Sequence, residues 1–174
     1  MKRLGMIVAW CWMAGMAVAA DGAGLIANGD FAKLDAAGKA VQWEVRVRGE
    51  NKFSFTPAEG GMVLLLNCVN DKQPALLIHR NLPLASDKRY QVSYEVKGGT
   101  GARYLAYCEW QFQPAGVDKP VIKGAETRIK SASENWTKQQ FTFTFPKECT
   151  SPYFVFGSRN GEVCFRNLAL TEVK

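Results

Sequence analysis

Tyr90-Gln91-Val92-Ser93-Tyr94-Glu95-Val96 alternates apolar and polar residues without a break and runs into Gly98-Gly99. Successive side chains of a strand point to opposite faces, so this spacing specifies a strand with one face buried and the other wet. The same signal recurs on both sides. Downstream, Arg103 to Gln113 alternates until Pro114-Ala115-Gly116. Trp136 to Phe145 contains Phe141-Thr142-Phe143-Thr144-Phe145 before Pro146. Tyr153 to Ser158 and Val163 to Val173 are separated by Arg159-Asn160-Gly161, a hairpin signal. Upstream, Ala75 to Leu82 is closed by Pro83, Met62 to Val69 follows Gly60-Gly61, and Lys52 to Thr56 stops at Pro57. Trp43-Glu44-Val45-Arg46-Val47-Arg48 and Leu25-Ile26-Ala27 complete the series. No long stretch has helical spacing. About ten short strands at regular intervals predict a two-sheet antiparallel sandwich. Lys119 to Ser133 is the least patterned stretch and is expected to be a surface excursion.

The first residues read as a secretory leader. Met1-Lys2-Arg3 is basic, Leu4 to Ala20 carries no charge, and Ala17-Val18-Ala19-Ala20 offers a small-residue cleavage signal. The expected organisation is a signal peptide over 1–19 and one β-sandwich domain over 20–174, exported to the periplasm or the medium. No catalytic domain is expected beside it. Lys2 and Arg3 fall in the leader, so the mature chain keeps 20 of 22 basic residues against 16 acidic ones, a net charge of +4. The basic residues are scattered among acids. That argues against nucleic acid, which wants clustered Lys and Arg; it is the charge of a protein kept soluble, with a mild attraction to anionic polysaccharide, mucin or a membrane surface as the alternative.

Four cysteines follow the leader: Cys68, Cys108, Cys149 and Cys164. An even number in an oxidising compartment permits two disulfides in three connectivities. A zinc site would draw on close cysteine pairs, and here the nearest two are 15 positions apart. Buried thiols acting as small hydrophobes are the remaining alternative.

Asn28-Gly29-Asp30-Phe31, Leu34-Asp35, Gly38 and Trp43, in that order, resemble the opening of the jelly-roll carbohydrate-binding modules of the galactose-binding-like superfamily. Leu82-Pro83-Leu84 with Tyr90 to Lys97, then Glu109-Trp110-Gln111-Phe112, Gly116, Trp136 and Phe141 to Pro146, continue the resemblance. Val163-Cys164-Phe165-Arg166-Asn167-Leu168-Ala169-Leu170 is similar to their closing strand. The resemblance spans essentially the whole mature chain. It implies an all-β jelly-roll sandwich that binds carbohydrate and needs no cofactor. Members often carry structural calcium, but Ala32, Arg166 and Asn167 stand where their acids would be. Calcium wants several oxygen ligands with negative charge among them, so no metal is expected. In the implied sandwich the strand ending at Cys68 neighbours the closing strand, which suggests Cys68–Cys164 as the one bridge. Cys108 is then a core thiol and Cys149 an accessible loop thiol.

The candidate site is a polar sheet face. On Arg103 to Gln113, Tyr104, Ala106, Cys108, Trp110 and Phe112 share one side, read as core, and Arg103, Leu105, Tyr107, Glu109, Gln111 and Gln113 share the other. A tyrosine ring stacks on a pyranose while acids and amides bind its hydroxyls. Glu95 and Arg46, from strands expected beside it, extend the face. The ligand set is therefore Tyr107, Glu109, Gln111, Arg103, Glu95 and Arg46, and the partner a polysaccharide or glycoconjugate. Trp43, Trp110 and Trp136 are expected in core or rim packing. Two alternatives remain. One is a structural or protein-interaction domain that meets other secreted or envelope proteins. The other is a stand-alone polysaccharide-active enzyme using Glu95 and Glu109 as a carboxylate pair. A triad would need His79, the only histidine, which reads as a solvated or locally hydrogen-bonded strand residue. Neither nucleic acid nor membrane insertion is expected.

Overall fold

A computed structural model describes residues 24–69, 72–125 and 129–174. The expected leader lies outside them. Among the described residues every regular element is a strand, and no helix is long and apolar enough to cross a membrane. The ladders are antiparallel throughout and join ten strands through one long central strand. The first sheet runs β1 (Trp43–Arg46), β4 (Ala75–His79), the opening half of β10 (Cys149–Val173) and β6 (Arg103–Phe112). Two short strands, β7 (Val121–Ala125) and β8 (Lys130–Ser131), lie end to end along the outer edge of β6. The second runs β2 (Lys52–Ala58), β3 (Gly61–Cys68), the closing half of β10, β5 (Arg89–Gly98) and β9 (Thr137–Thr144).

The alternation read in β5 sets the layering. Tyr90, Val92, Tyr94 and Val96 are fully buried, and Gln91, Ser93, Glu95 and Lys97 face away. Rings from the two sheets meet between them: Tyr94 lies 5.2 Å from Phe156 and 6.3 Å from Tyr104 between ring centroids, and Trp110 stacks on Phe143 at 5.6 Å. Burying each such side chain contributes roughly 1.5–3 kcal/mol. The Asn28-Gly29-Asp30-Phe31 turn is a structural clip. The Asn28 amide donates to the carbonyls of Lys33 and Val41, its side-chain oxygen accepts from Lys33 N–H, and Phe31 is completely buried against Trp43.

Several expectations are corrected. Arg159-Asn160-Gly161 does not make a hairpin. Gly161 has φ +69°, and a register shift lies between Ser158 and Asn160. The bend carries β10 from one sheet into the other, as strands that turn sandwich corners do at bulges. Pro57 does not end β2; it sits within an edge strand, where a missing N–H costs no ladder bond. The 119–133 stretch is at the surface as expected, but it is not without pattern: it contributes the two exposed edge strands β7 and β8. Leu25 to Ala27 forms no strand, although Leu25 N–H donates to the Leu170 carbonyl.

The cysteines are also corrected. β3 does pair with β10, but Cys68 stands opposite Gly161 and Cys164 opposite Leu65. Cys68 points into the core with Leu64 and Leu66, whereas Cys164 alternates with the core residues Val163 and Phe165 and so takes the other face. No disulfide joins them. Cys149 is buried rather than accessible. Burial pushes the thiols of Cys108, Cys149 and Cys164 above the ordinary range.

Candidate functional site

The outer face of the first sheet can be built row by row from its register. Glu44, Ile78, Val155 and Tyr107 lie across β1, β4, β10 and β6 in one row. Arg46, Leu76, Gly157 and Leu105 form the next. Tyr153 and Glu109 pair beyond the first row, and Asn160 pairs with Arg103 beyond the second, with Arg159 in the register shift before it and near enough to act on Tyr107. Ile78, Leu105 and Val155 are buried and form a cluster separate from the core, with Leu76, Tyr107 and Tyr153 packed against it. The face is therefore an apolar floor with a polar rim, not the wholly polar surface expected from β6. The apolar residues arrive from β4 and β10, whose outward positions the reading of β6 could not supply. Gly157 keeps the middle of the floor low: a Cβ there would stand 2.6 Å from Leu76 Cδ2 and 3.0 Å from Leu105 Cδ1.

The rim is wired together. The Tyr153 hydroxyl donates to Glu109 Oε2. Arg46 and Arg80 both donate through Nε to the Glu44 carboxylate, at 2.5 and 2.9 Å. Those bonds, Arg46 first, hold the Glu44 pKa below the usual carboxylate range. The Arg80 guanidinium lies 5.5 Å from the Tyr153 ring centroid, a cation–π contact that braces the ring. Burial and then the nearby Glu109 push the Tyr107 phenol up to about 12, against the opposing pull of Arg159 and Arg46. Both tyrosines are thus protonated donors at neutral pH.

Tyr107, Glu109, Gln111 and Arg103 lie on the outward side of β6 as expected, and Arg46 reaches the same face from β1. Glu95 does not. Strand β5 belongs to the second sheet, and Glu95 lies on that sheet's own outer face, accepting from Arg166 Nε at 2.7 Å and Asn167 Nδ2 at 3.1 Å. Arg166, written off as a calcium ligand, is therefore a structural partner. The Glu95–Glu109 carboxylate pair is corrected with it, since the two acids lie on different sheets. Sequence reasoning missed Tyr153, Arg80 and Arg159. The shared outward parity of Tyr153 and Val155 was the available signal.

His79 is not solvated. It turns inward at the end of β4, 6% exposed, its ring edge-on to Trp43 at 4.8 Å and its polar neighbours the backbone of Arg80 and Ala27. Burial lowers its pKa. Trp43 and Trp110 are core residues. Trp136 is not: it lies half-buried on the second sheet's outer side, with Arg166 4.3 Å and Lys97 5.1 Å from its ring centroid.

The fold is that of the jelly-roll carbohydrate-binding modules. The CBM22-1 xylan-binding domain of Paenibacillus barcinonensis Xyn10C matches with a TM-score of 0.62 at 15% identity, over 88% of this chain and 96% of that one. A CBM4 module matches at 0.56 and 14% identity, over 85% of this chain and 99% of that one. The enzymatically active domain of bacteriophage CBA120 tailspike protein 4 matches at 0.60 and 12% identity over 86% of this chain, which spans 21% of that chain's length. No protein-family model and no curated protein matches the sequence. What is shared at these identities is the fold, an all-β antiparallel jelly roll, as the order of strand signals predicts.

Proposed function

We propose that the protein is an exported, non-catalytic carbohydrate-binding module that takes a poly- or oligosaccharide on the outer face of its first sheet. The observation that carries this reading is the floor of Ile78, Val155 and Leu105 flanked by Tyr107 and Tyr153 and rimmed by hydrogen-bonding side chains. A pyranose offers C–H faces to an apolar surface and hydroxyls to polar groups at its edge, and sites that are mostly apolar with a few placed polar groups suit it. Two solved domains of the same fold are a xylan-binding domain and a CBM4 module. The basic start, uncharged run and small-residue end of residues 1–19 support export to the periplasm or the medium.

Two observations support a non-catalytic role. His79 is sequestered behind Trp43, so this face has no histidine base. Glu95 and Glu109 are on separate sheets. The test is a glycan array on the purified protein, repeated with Tyr107→Ala and Tyr153→Ala. Binding of a glycan class that both variants lose, at unchanged melting temperature, is the expected result. An array with no binding would instead leave the protein-interaction reading standing.

A further inference from the structure

The first sheet's outer face carries more positive charge than a neutral sugar needs. Among the described residues four guanidinium groups lie on or beside it, from Arg46, Arg80, Arg103 and Arg159, against the carboxylates of Glu44 and Glu109, with Arg48 and Glu50 in the adjoining hollow. The acids are already engaged: Glu44 by Arg46 and Arg80, Glu109 by the Tyr153 hydroxyl. Arg159 and Arg103 have no carboxylate partner among the described residues. Arg159 is half-buried, and its Nε has no hydrogen-bond acceptor.

Arg103 opens on a concave place: with Asn160, the residue after Arg159, it lines a 670 Å³ hollow whose other polar walls are Arg48, Glu50, Asn51 and Gln73, and Arg159 lies beside it rather than in its wall. Arg48 likewise has no carboxylate partner among the described residues. The hollow shares Arg103 with the arginine end of the face, and its amide side chains, Asn51, Gln73 and Asn160, can bind hydroxyls. Guanidinium groups present paired donors that match a carboxylate or a sulfate ester better than an ammonium does.

We propose that this face recognises an acidic polysaccharide, with Arg159 and Arg103 binding its anionic groups at the arginine end. This rests on the carbohydrate-binding reading above and specifies its ligand class. The anionic group is a uronate carboxylate or a sulfate ester. Both are planar or tetrahedral clusters of acceptor oxygens that a guanidinium can grip. The tyrosines hold the ring faces and the arginines select the charge.

Affinity electrophoresis of the purified protein through gels containing polygalacturonate, dextran sulfate or neutral xylan tests this directly. Retardation by one acidic polymer at least about tenfold stronger than by xylan is expected, the scale of one charge-assisted contact. Arg103→Gln, on an exposed residue that cannot threaten the fold, and Arg159→Gln should each weaken retardation about tenfold or more. Lys52→Gln with Lys138→Gln removes two charges from the second sheet, one more than either arginine variant, and should leave it unchanged. Equal loss in that control would reduce the effect to net charge and overturn the proposal. Xylan binding insensitive to both arginine substitutions would also overturn it while sustaining the carbohydrate-binding reading. No retardation in any gel would remove both. The carboxylate and sulfate arms identify which anion is taken.

Discussion

Tyr107 and Trp110 are three positions apart on β6 and on opposite sides of it, so their truncations should separate binding from folding. Trp110 is stacked on Phe143 and edge-on to Phe145 in the core. Trp110→Ala should cost ~3–5 kcal/mol as a buried large-to-small change, read as a fall in melting temperature. Tyr107→Ala should cost ~1–3 kcal/mol of glycan affinity, the usual scale for a contact aromatic, with the fold intact by circular dichroism. If Trp110→Ala instead kept its melting temperature and lost binding, the assignment of faces would be inverted. His79 sets a pH signature. Its folded pKa lies below the ordinary 6.5 because burial disfavours the charged ring. The unfolded chain therefore binds the extra proton first, and the stability held at neutral pH is lost as pH falls below about 6.5. Thermal melts between pH 5 and 7 should show this slope, and His79→Phe should flatten it. Glu44 and Glu95, both held below the usual carboxylate range chiefly by arginine hydrogen bonds, add a loss of the same sign at lower pH.

At the scale of elements, Gly157 is the position where β10 leaves room for a ligand. Gly157→Val would push branched carbons into Leu76 and Leu105 and lift the floor. We expect ~1–3 kcal/mol of destabilisation from overpacking together with weaker glycan retention; a variant that bound normally would show that ligand does not lie over this row. The strands themselves were largely legible, because period-two alternation is a local property that burial enforces along each one. The alternation of β5 and the inward set of β6 emerge as read. Which strands share a sheet is not local. β5 and β6 are consecutive in the chain yet pair into different sheets through β10, and this moved Glu95 away from the site. The Asn160-Gly161 pair shows the same limit. A positive φ at glycine serves a hairpin or a corner equally well, and the partners of the flanking residues decide between them. Cys68 and Cys164 occupy paired strands as the jelly roll implies, but their opposite parity puts them on opposite faces.

For the whole molecule, stability should rest on the core rather than on metal or bridges. Chelator should leave the melting temperature unchanged, since among the described residues no cluster of His, Cys, Asp or Glu is placed to hold an ion. A bound ion at 100 times its dissociation constant would contribute ~2.7 kcal/mol, a shift that calorimetry would detect. Thiol reagent should leave Cys108, Cys149 and Cys164 unlabelled in the native protein and modify each once the unreduced protein is denatured. The architecture also has a temporal side. β10 supplies the middle of both sheets, and the four strands it pairs with, β3, β4, β5 and β6, all precede it. A chain leaving the ribosome N-terminus first therefore holds two sets of half-sheets with no common spine until the 25-residue strand β10 emerges. Folding of this domain waits for that strand, and the exposed strand edges that wait with it are what a chaperone would have to shield.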